Sequence, residues 1–305
     1  MNCNHEDTAN SACCSLFQSK SDISWRASRW WPLAAVPAVA LLLVVFALPF
    51  LLLAETSLHV DQGLAQVSAD FTASNYLTFV TDPFYLQILA RTVAMGLIVV
   101  LGCAILAYPV AYFVARSDGA LRACAIFFVI APLLISLVIR NLGMFPILGE
   151  SGLINTALKW LGLASEPLHL VNNLVGVEIG LIHALLPLMV LSLVVAIQSI
   201  DYEVELAAAN LGAPPLRVFF RVVFPLSRPG LISGSILVFT LATSAYTTPV
   251  MLGGNRVLVM STFLAKEMLS ALNYAFAATC AVILVITSAL LGALVLRNSE
   301  RYGAA

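Results

Sequence analysis

The sequence predicts an all-α protein that crosses a membrane with about six helices. Of its 305 residues, 61% are hydrophobic and only 10% are charged, whereas soluble domains carry about 25% charged residues. The mean hydropathy of +0.97 leaves too little polar surface to cover a water-soluble fold. The apolar runs are far longer than strands and do not alternate, so helices are the structure that satisfies the backbone inside a bilayer.

Charge and composition exclude several classes of protein. A net charge of −1 provides no basic field for a phosphate backbone, so we expect no nucleic-acid partner. The low polar content excludes soluble enzymes and disordered chains. The lipid bilayer is therefore the first partner that the sequence predicts.

The chain begins with a polar tail, residues 1–28, which is rich in Ser, Asn and Cys. It shows no apolar period, so we expect it to be disordered. A metal site is possible in principle at Cys3, His5, Cys13 and Cys14. Their spacing matches no ordinary zinc pattern, and we expect no metal there.

The membrane spans are predicted from uncharged apolar stretches. The first of them follows basic residues, as a signal peptide does, but its apolar region is too long for one, so a membrane anchor is the better interpretation. A sixth stretch, 123–140, is shorter and continues past Arg140, which leaves its outer end open. Arg140 could pair with Glu150 or reach the outer interface. The five clear spans are 31–54, 92–115, 174–197, 231–252 and 274–296.

Lys and Arg are unevenly distributed between the two sides of these spans. Of 15 such residues, ten lie on the side of the two termini and five on the other side. Positive residues are retained on the cytoplasmic side of a membrane. The sequence therefore predicts that both termini, including the polar tail, are cytoplasmic.

The longest polar interruption on the cytoplasmic side, residues 198–230, is predicted to be a helix, a break and a second helix. Asp201 can cap the first helix, and Glu203 and Glu205 lie favourably in its first turn. Gly212 is a suitable C-terminal stop, followed by two prolines. An apolar stripe runs along the helix at Val204, Ala207, Ala208 and Leu211.

The second helix of this loop, residues 216–223, mixes arginine with aromatic residues and ends at Phe224 and Pro225. It fits a connector lying on the membrane surface, with Arg at the headgroups and apolar groups in the bilayer. It fits a protein-docking surface equally well on physical grounds.

The loop resembles the EAA loop of binding-protein-dependent ABC importer permeases. That pattern is Glu-Ala-Ala, three residues, Gly, nine residues and Ile-x-Leu-Pro. Ala207, Ala208, Gly212 and Pro225 match in register, and Leu206 stands at the usual Glu position. The resemblance extends from about residue 75 to residue 286, through segments such as 108–112, 152–155 and 248–254. Within the family the chain looks most similar to spermidine/putrescine permeases.

The resemblance implies a type I ABC importer permease fold over residues 29–305, in the inner membrane of a bacterium. It implies a second, homologous permease subunit, two copies of an ATPase that uses ATP and Mg, and an extracytoplasmic substrate-binding protein. Transport would proceed by alternating access, driven through a coupling helix at 201–211. The residues implied in ATPase docking are Asp201, Glu205, Ala207, Ala208, Leu211, Gly212 and Pro225.

Polar side chains inside the spans are candidates for the translocation path. An ionisable group in a membrane helix is costly and usually faces a cavity or a partner. Glu178 could therefore attract a cationic substrate, make a structural hydrogen bond, or extend to the membrane interface. Thr243, Tyr246 and Thr247 belong to a polar cluster that suggests a hydrated face, although Ser and Thr also return hydrogen bonds to their own helix.

Other features of the sequence limit the alternative functions. None of Lys20, Lys159 and Lys266 follows a glycine, so the chain has no P-loop and ATP hydrolysis is expected in a partner. A membrane protease would need a catalytic motif that the sequence lacks. A secondary transporter driven by an ion gradient remains the main alternative, together with a permease for an amino-acid derivative, a phosphonate or ferric ion.

Overall fold

The computed structural model describes residues 31–61, 67–162 and 166–303. The predicted disordered tail, 1–28, and the Cys and His residues in it lie outside the described residues. The fold is helical, as predicted, with one short antiparallel hairpin that the sequence analysis did not predict.

The helices are numbered here in chain order. They are α1 Trp31–Ser57, α2 Ser74–Thr81, α3 Pro83–Arg116, α4 Gly119–Ile130, α5 Leu137–Leu148, α6 Leu153–Trp160, α7 Leu174–Gln198, α8 Tyr202–Asn210, α9 Pro215–Val218, α10 Phe224–Leu226, α11 Arg228–Ser244, α12 Thr247–Gly253, α13 Met260–Lys266 and α14 Tyr274–Gly303. The strands are β1 His59–Asp61 and β2 Val67–Phe71. Short 3-10 helices lie at Ala131–Leu134 and Gly254–Arg256, and π-helical turns at Phe219–Val223 and Glu267–Ala271.

The chain divides into two units, Met1–Leu53 and Ala54–Ala305. In the described part of the first unit, α1 carries exposed apolar side chains such as Leu41, Phe46 and Leu51. A bilayer would cover such a surface.

The core of the second unit lies where α3, α7 and α11 pack side by side. Close approach depends on small residues. A Cβ placed on Gly102 would lie 2.5 Å from Cδ1 of Ile182, and one on Gly230 would lie 2.3 Å from Cβ of Ala196. Helices in a membrane gain little from hydrophobic exclusion, so such tight van der Waals packing is what holds them together.

Four of the six predicted spans lie within continuous helices: 31–54 in α1, 92–115 in α3, 174–197 in α7 and 274–296 in α14. Helix α3 begins earlier than predicted because Asp82 caps it, accepting a hydrogen bond of 2.9 Å from the backbone N–H of Phe84. Among the described residues, five helices are long and apolar enough to cross a membrane, or six if a bent helix pair is one span.

The predicted third span, 123–140, is wrong as a single helix. Helix α4 ends at Ile130, a 3-10 turn containing Pro132 follows, and the chain is extended at Ile135 before α5 begins. Proline lacks the N–H that an α-helix needs, which explains the break. Among the described residues Arg140 forms no ion pair with Glu150. Its guanidinium donates to the carbonyls of Pro132, of Ile135 at 3.1 Å and of Ala184 at 3.3 Å.

The predicted fifth span, 231–252, is also interrupted. Helix α11 ends at Ser244, Ala245 is extended, and α12 begins at Thr247. In a continuous helix the ring of Pro249 would clash with the carbonyl of Ala245, four residues earlier, which is where the helix breaks. At its other end α11 meets Pro215–Leu226 at an angle of 66°.

Candidate functional site

Helix α8 forms as the sequence predicts. The side chain of Asp201 accepts a hydrogen bond of 3.1 Å from the N–H of Glu203, which satisfies a free donor of the first turn. At the other end Gly212 adopts a left-handed φ of +84°, which glycine reaches without steric cost. The predicted cap and stop are both confirmed.

The second half of the loop is helical from Pro215 to Leu226, so the predicted helix at 216–223 is confirmed and extended. It contains a π-helical turn, Phe219–Val223. Pro225 lies two residues after this turn, and its missing N–H and bulky ring prevent the regular bond to the carbonyl of Arg221. The motif proline therefore sets the local shape of this segment.

Helix α8 and the segment after it expose apolar side chains outside the predicted spans. We call this set the docking face. Leu211 is 89% exposed. Exposed apolar groups outside the membrane spans are candidates for a site that another protein covers. The docking face consists of Val204, Leu206, Ala207, Leu211, Leu216 and Phe220.

Glu205 points the other way, into the protein, with 5% of its side chain exposed. It forms an ion pair with Arg116 at the end of α3, and it accepts a hydrogen bond of 2.9 Å from the hydroxyl of Tyr112. That Glu205 itself contacts the ATPase stays a prediction. Its carboxylate is already occupied by two partners from α3.

Arg116 contacts the α7–α8 connection at two further points. It donates a hydrogen bond of 3.2 Å to the carbonyl of Ile200, and its guanidinium carbon lies 5.5 Å from the ring centroid of Tyr202. One arginine thus joins the end of α3 to both the start and the middle of α8.

Two tyrosines continue this contact along α3. Tyr108, Tyr112 and Arg116 follow one another at four-residue spacing, so they share a helix face. Tyr108 hydroxyl lies 3.1 Å from Oγ of Ser227, at the start of α11. The ring of Phe219 lies 5.6 Å from that of Tyr108 and 6.1 Å from that of Tyr112. The sequence analysis missed this stripe, although its regular spacing was a readable signal.

In the candidate path, Glu178 lies half-buried near the start of α7. It is the sole acidic residue of the three packed helices α3, α7 and α11. Within the part of the chain that the structure describes, its carboxylate makes no hydrogen bond or ion pair. Its side chain is therefore available to a ligand.

The polar cluster of the fifth span separates into two groups. Thr243 is 1% exposed, and its hydroxyl bonds to the carbonyl of Phe239 at 3.0 Å, which is the structural role that Ser and Thr commonly take in helices. Tyr246 and Thr247 instead lie at the break between α11 and α12, where Tyr246 is exposed. The described residues show no contact between Glu178 and Tyr246.

The two interrupted spans meet through a buried hydrogen bond. Asn141 of α5 donates to the hydroxyl of Thr248 of α12 over 3.2 Å. Helix α7 packs against the same part of α12, since a Cβ on Gly180 would lie 2.5 Å from Cδ1 of Leu252. The second half of the broken fifth span is thus fixed from two sides.

A cavity of about 790 Å³ lies at the opposite end of α3 and α7 from the docking face. We call it the outer cavity. Its polar lining includes Arg91, Arg256, Glu150 and His169. Oε1 of Glu150 lies 2.9 Å from Nδ1 of His169, so these two side chains bind each other. Among the described residues neither arginine forms an ion pair, so the cavity has a net positive lining.

Comparison with known proteins places this geometry in a family. The sequence profile of the binding-protein-dependent transport system inner membrane component family matches residues 104–301. The chain belongs to this family. It is therefore a multi-pass membrane protein and the permease, or translocation subunit, of a type I ABC importer.

Its relatives include two spermidine/putrescine transport system permeases called PotB. The one from Escherichia coli strain K12 is 33% identical over 251 residues, which cover 82% of this chain and 90% of the relative. The one from Haemophilus influenzae is 33% identical over 250 residues, 82% of this chain and 87% of the relative.

A solved structure shows the same fold. It is a bacterial ABC transporter involved in the import of the acidic polysaccharide alginate, with a TM-score of 0.71 at 16% identity. The match covers 90% of this chain and 96% of that chain. A second structure of a bacterial alginate ABC transporter, in complex with an alginate-bound periplasmic protein, has a TM-score of 0.70.

Proposed function

We propose that this permease imports a polyamine such as spermidine or putrescine. The observation that carries the proposal is Glu178, a carboxylate on a packed core helix that has no partner among the described residues, in a chain whose relatives are named for polyamine transport. An unpaired charge among membrane helices is costly unless a ligand or water reaches it. A protonated amine supplies the opposite charge.

The proposed path passes Glu178, Tyr246 and Thr247. The exposed tyrosine ring can attract an ammonium group by a cation–π interaction. Thr243 contributes to packing instead, since its methyl group lies where a Cβ on Gly96 would be only 2.9 Å away. Its proposed role is therefore to hold α11 against α3.

The docking face is proposed to bind an ATPase subunit, with a second ATPase subunit on a homologous permease partner. ATP and Mg would be used by those partners, and the described residues of this chain include no cluster of metal-ligating side chains. Asp201 and Gly212 set the two ends of α8, while Ala207, Ala208 and Leu211 lie on it or directly after it. Pro225 shapes the segment that follows.

The outer cavity is proposed to face a substrate-binding protein. An ATPase must dock on the cytoplasmic side, so the opposite ends of α3 and α7 face outward, which agrees with the prediction that both termini are cytoplasmic in a bacterial inner membrane. A positive lining repels a polyamine but suits the carboxylates of a protein surface. The similar alginate transporter was solved with a periplasmic protein bound.

The test is to purify the chain gently from its native membrane, identify what accompanies it, and reconstitute the assembly in vesicles. We expect an ATPase, a second permease and ATP-dependent uptake of radiolabelled spermidine or putrescine. ATP-dependent uptake of a different solute would refute the polyamine proposal alone. Recovery of the chain by itself, with uptake driven by an ion gradient, would refute the ABC partners as well.

A further inference from the structure

Helix α8 is joined to the rest of the protein by a charge instead of an apolar anchor. In a helix of nine residues the buried side chain is Glu205. Tyr202, Val204 and Leu206 are exposed. If a partner covers the exposed side chains, Glu205 is the buried side chain through which force on α8 can reach α3.

The contact that receives Glu205 is suited to carry that force. An ion pair with little exposure is stronger than one at the surface because water screens it less. Both carboxylate oxygens are bound from α3, Oε1 by Arg116 and Oε2 by Tyr112, in charge-assisted hydrogen bonds. Arg116 also donates a hydrogen bond of 3.2 Å to the carbonyl of Ile200, so it binds the chain on both sides of the α8 N-terminus.

Helix α3 can pass the displacement on. It runs from Pro83 to Arg116, a length of about 50 Å at 1.5 Å per residue. Its last turns hold α8 and the start of α11, and Arg91 near its other end lines the outer cavity. A continuous helix with those contacts links the docking face to the opposite side of the protein.

We propose that Arg116, Glu205 and Tyr112 form a latch that transmits movement of the docked α8 to α3. The three are positioning residues, which act through the helices that they join. The proposal deepens, and rests on, the proposed docking of an ATPase at α8. The latch also explains why this chain departs from the EAA motif. Leu206 stands at the usual Glu position and is exposed, while the neighbouring Glu205 points inward.

The experiment uses the complete importer reconstituted in vesicles and measures spermidine imported per ATP hydrolysed. Glu205→Gln keeps the size of the side chain and removes its charge. We expect the ATPase to remain bound, because the docking face is untouched, and the import ratio to fall about tenfold, since a charged hydrogen bond is lost. Glu203→Gln is the matched control, since Glu203 is an exposed acid on the same helix.

Two further variants keep the test decisive if Glu205→Gln folds poorly. Tyr112→Phe removes a single hydroxyl, and we expect the import ratio to fall about threefold. Exchanging the charges, Arg116→Glu with Glu205→Arg, should recover part of the ratio lost in either single variant, which a role in packing alone would not produce.

The outcomes separate the latch from the proposed function. A normal import ratio in both Glu205→Gln and Tyr112→Phe would overturn the latch. Loss of the bound ATPase in a correctly folded Glu205→Gln variant would overturn it too, because Glu205 would then belong to the docking surface. If the unaltered protein binds no ATPase, the proposed function fails before any variant is compared.

Discussion

Glu178 is the residue on which the proposed substrate class depends. Replacing it with Gln removes the negative charge and keeps the volume of the side chain. We expect the KM for spermidine uptake to rise about tenfold, because a cation in a low-dielectric path loses its counter-ion. Uptake by reconstituted vesicles, with Glu203→Gln as the control, measures this. An unchanged KM and rate would contradict a place for Glu178 in the path.

Arg140 is the residue that stabilises the interrupted third span. Its guanidinium donates to carbonyls from the 3-10 turn, from the break and from α7. Arg140→Ala leaves these acceptors without that donor, and we expect a loss of about 2 kcal/mol of unfolding free energy. Thermal denaturation of the purified protein in detergent would show a lower midpoint. The exposed Arg217→Ala is the control, and an equal effect there would contradict this role.

At the scale of elements, α8 with the turn after it is the proposed ATPase contact. Leu211 contributes almost nothing to the fold, since 89% of its side chain is exposed. We therefore expect Leu211→Asp to leave membrane insertion and thermal stability intact and to abolish co-purification of the ATPase. Asn210→Asp adds the same charge one residue earlier without removing an apolar contact. Retention of the ATPase by Leu211→Asp would argue against the docking face.

Local sequence signals were sufficient to predict some structural elements and insufficient to predict others. The cap at Asp201 and the stop at Gly212 act over one helical turn, so α8 was predictable from its own residues. The break at Ala245 lies four residues before Pro249, but Pro109 and Pro187 lie inside the continuous helices α3 and α7, so a proline in the sequence does not by itself place a break. The hairpin of β1 and β2 is short and carries no clear alternation.

At the scale of the whole molecule, two surfaces lie at opposite ends of α3 and α7. Replacing both Arg91 and Arg256 in the outer cavity with Ser removes its unpaired positive charge. We expect the stimulation of ATP hydrolysis by the binding protein to weaken about tenfold and to lose much of its salt dependence. Lys159→Ser, outside the cavity, is the control. Unchanged stimulation and salt dependence would contradict docking at this cavity.

The sequence by itself determined the membrane class, the core helices α3 and α7, and the ends of α8. Hydropathy, capping and motif spacing act over a few turns of one helix, so they can be read along the chain. Only the tertiary structure decided which way Glu205 points, because its partner Arg116 lies 89 residues away. The same holds for the carbonyls held by Arg140, the Asn141–Thr248 bond and the outer cavity. Each arises from packing between distant segments, and no local pattern specifies such contacts.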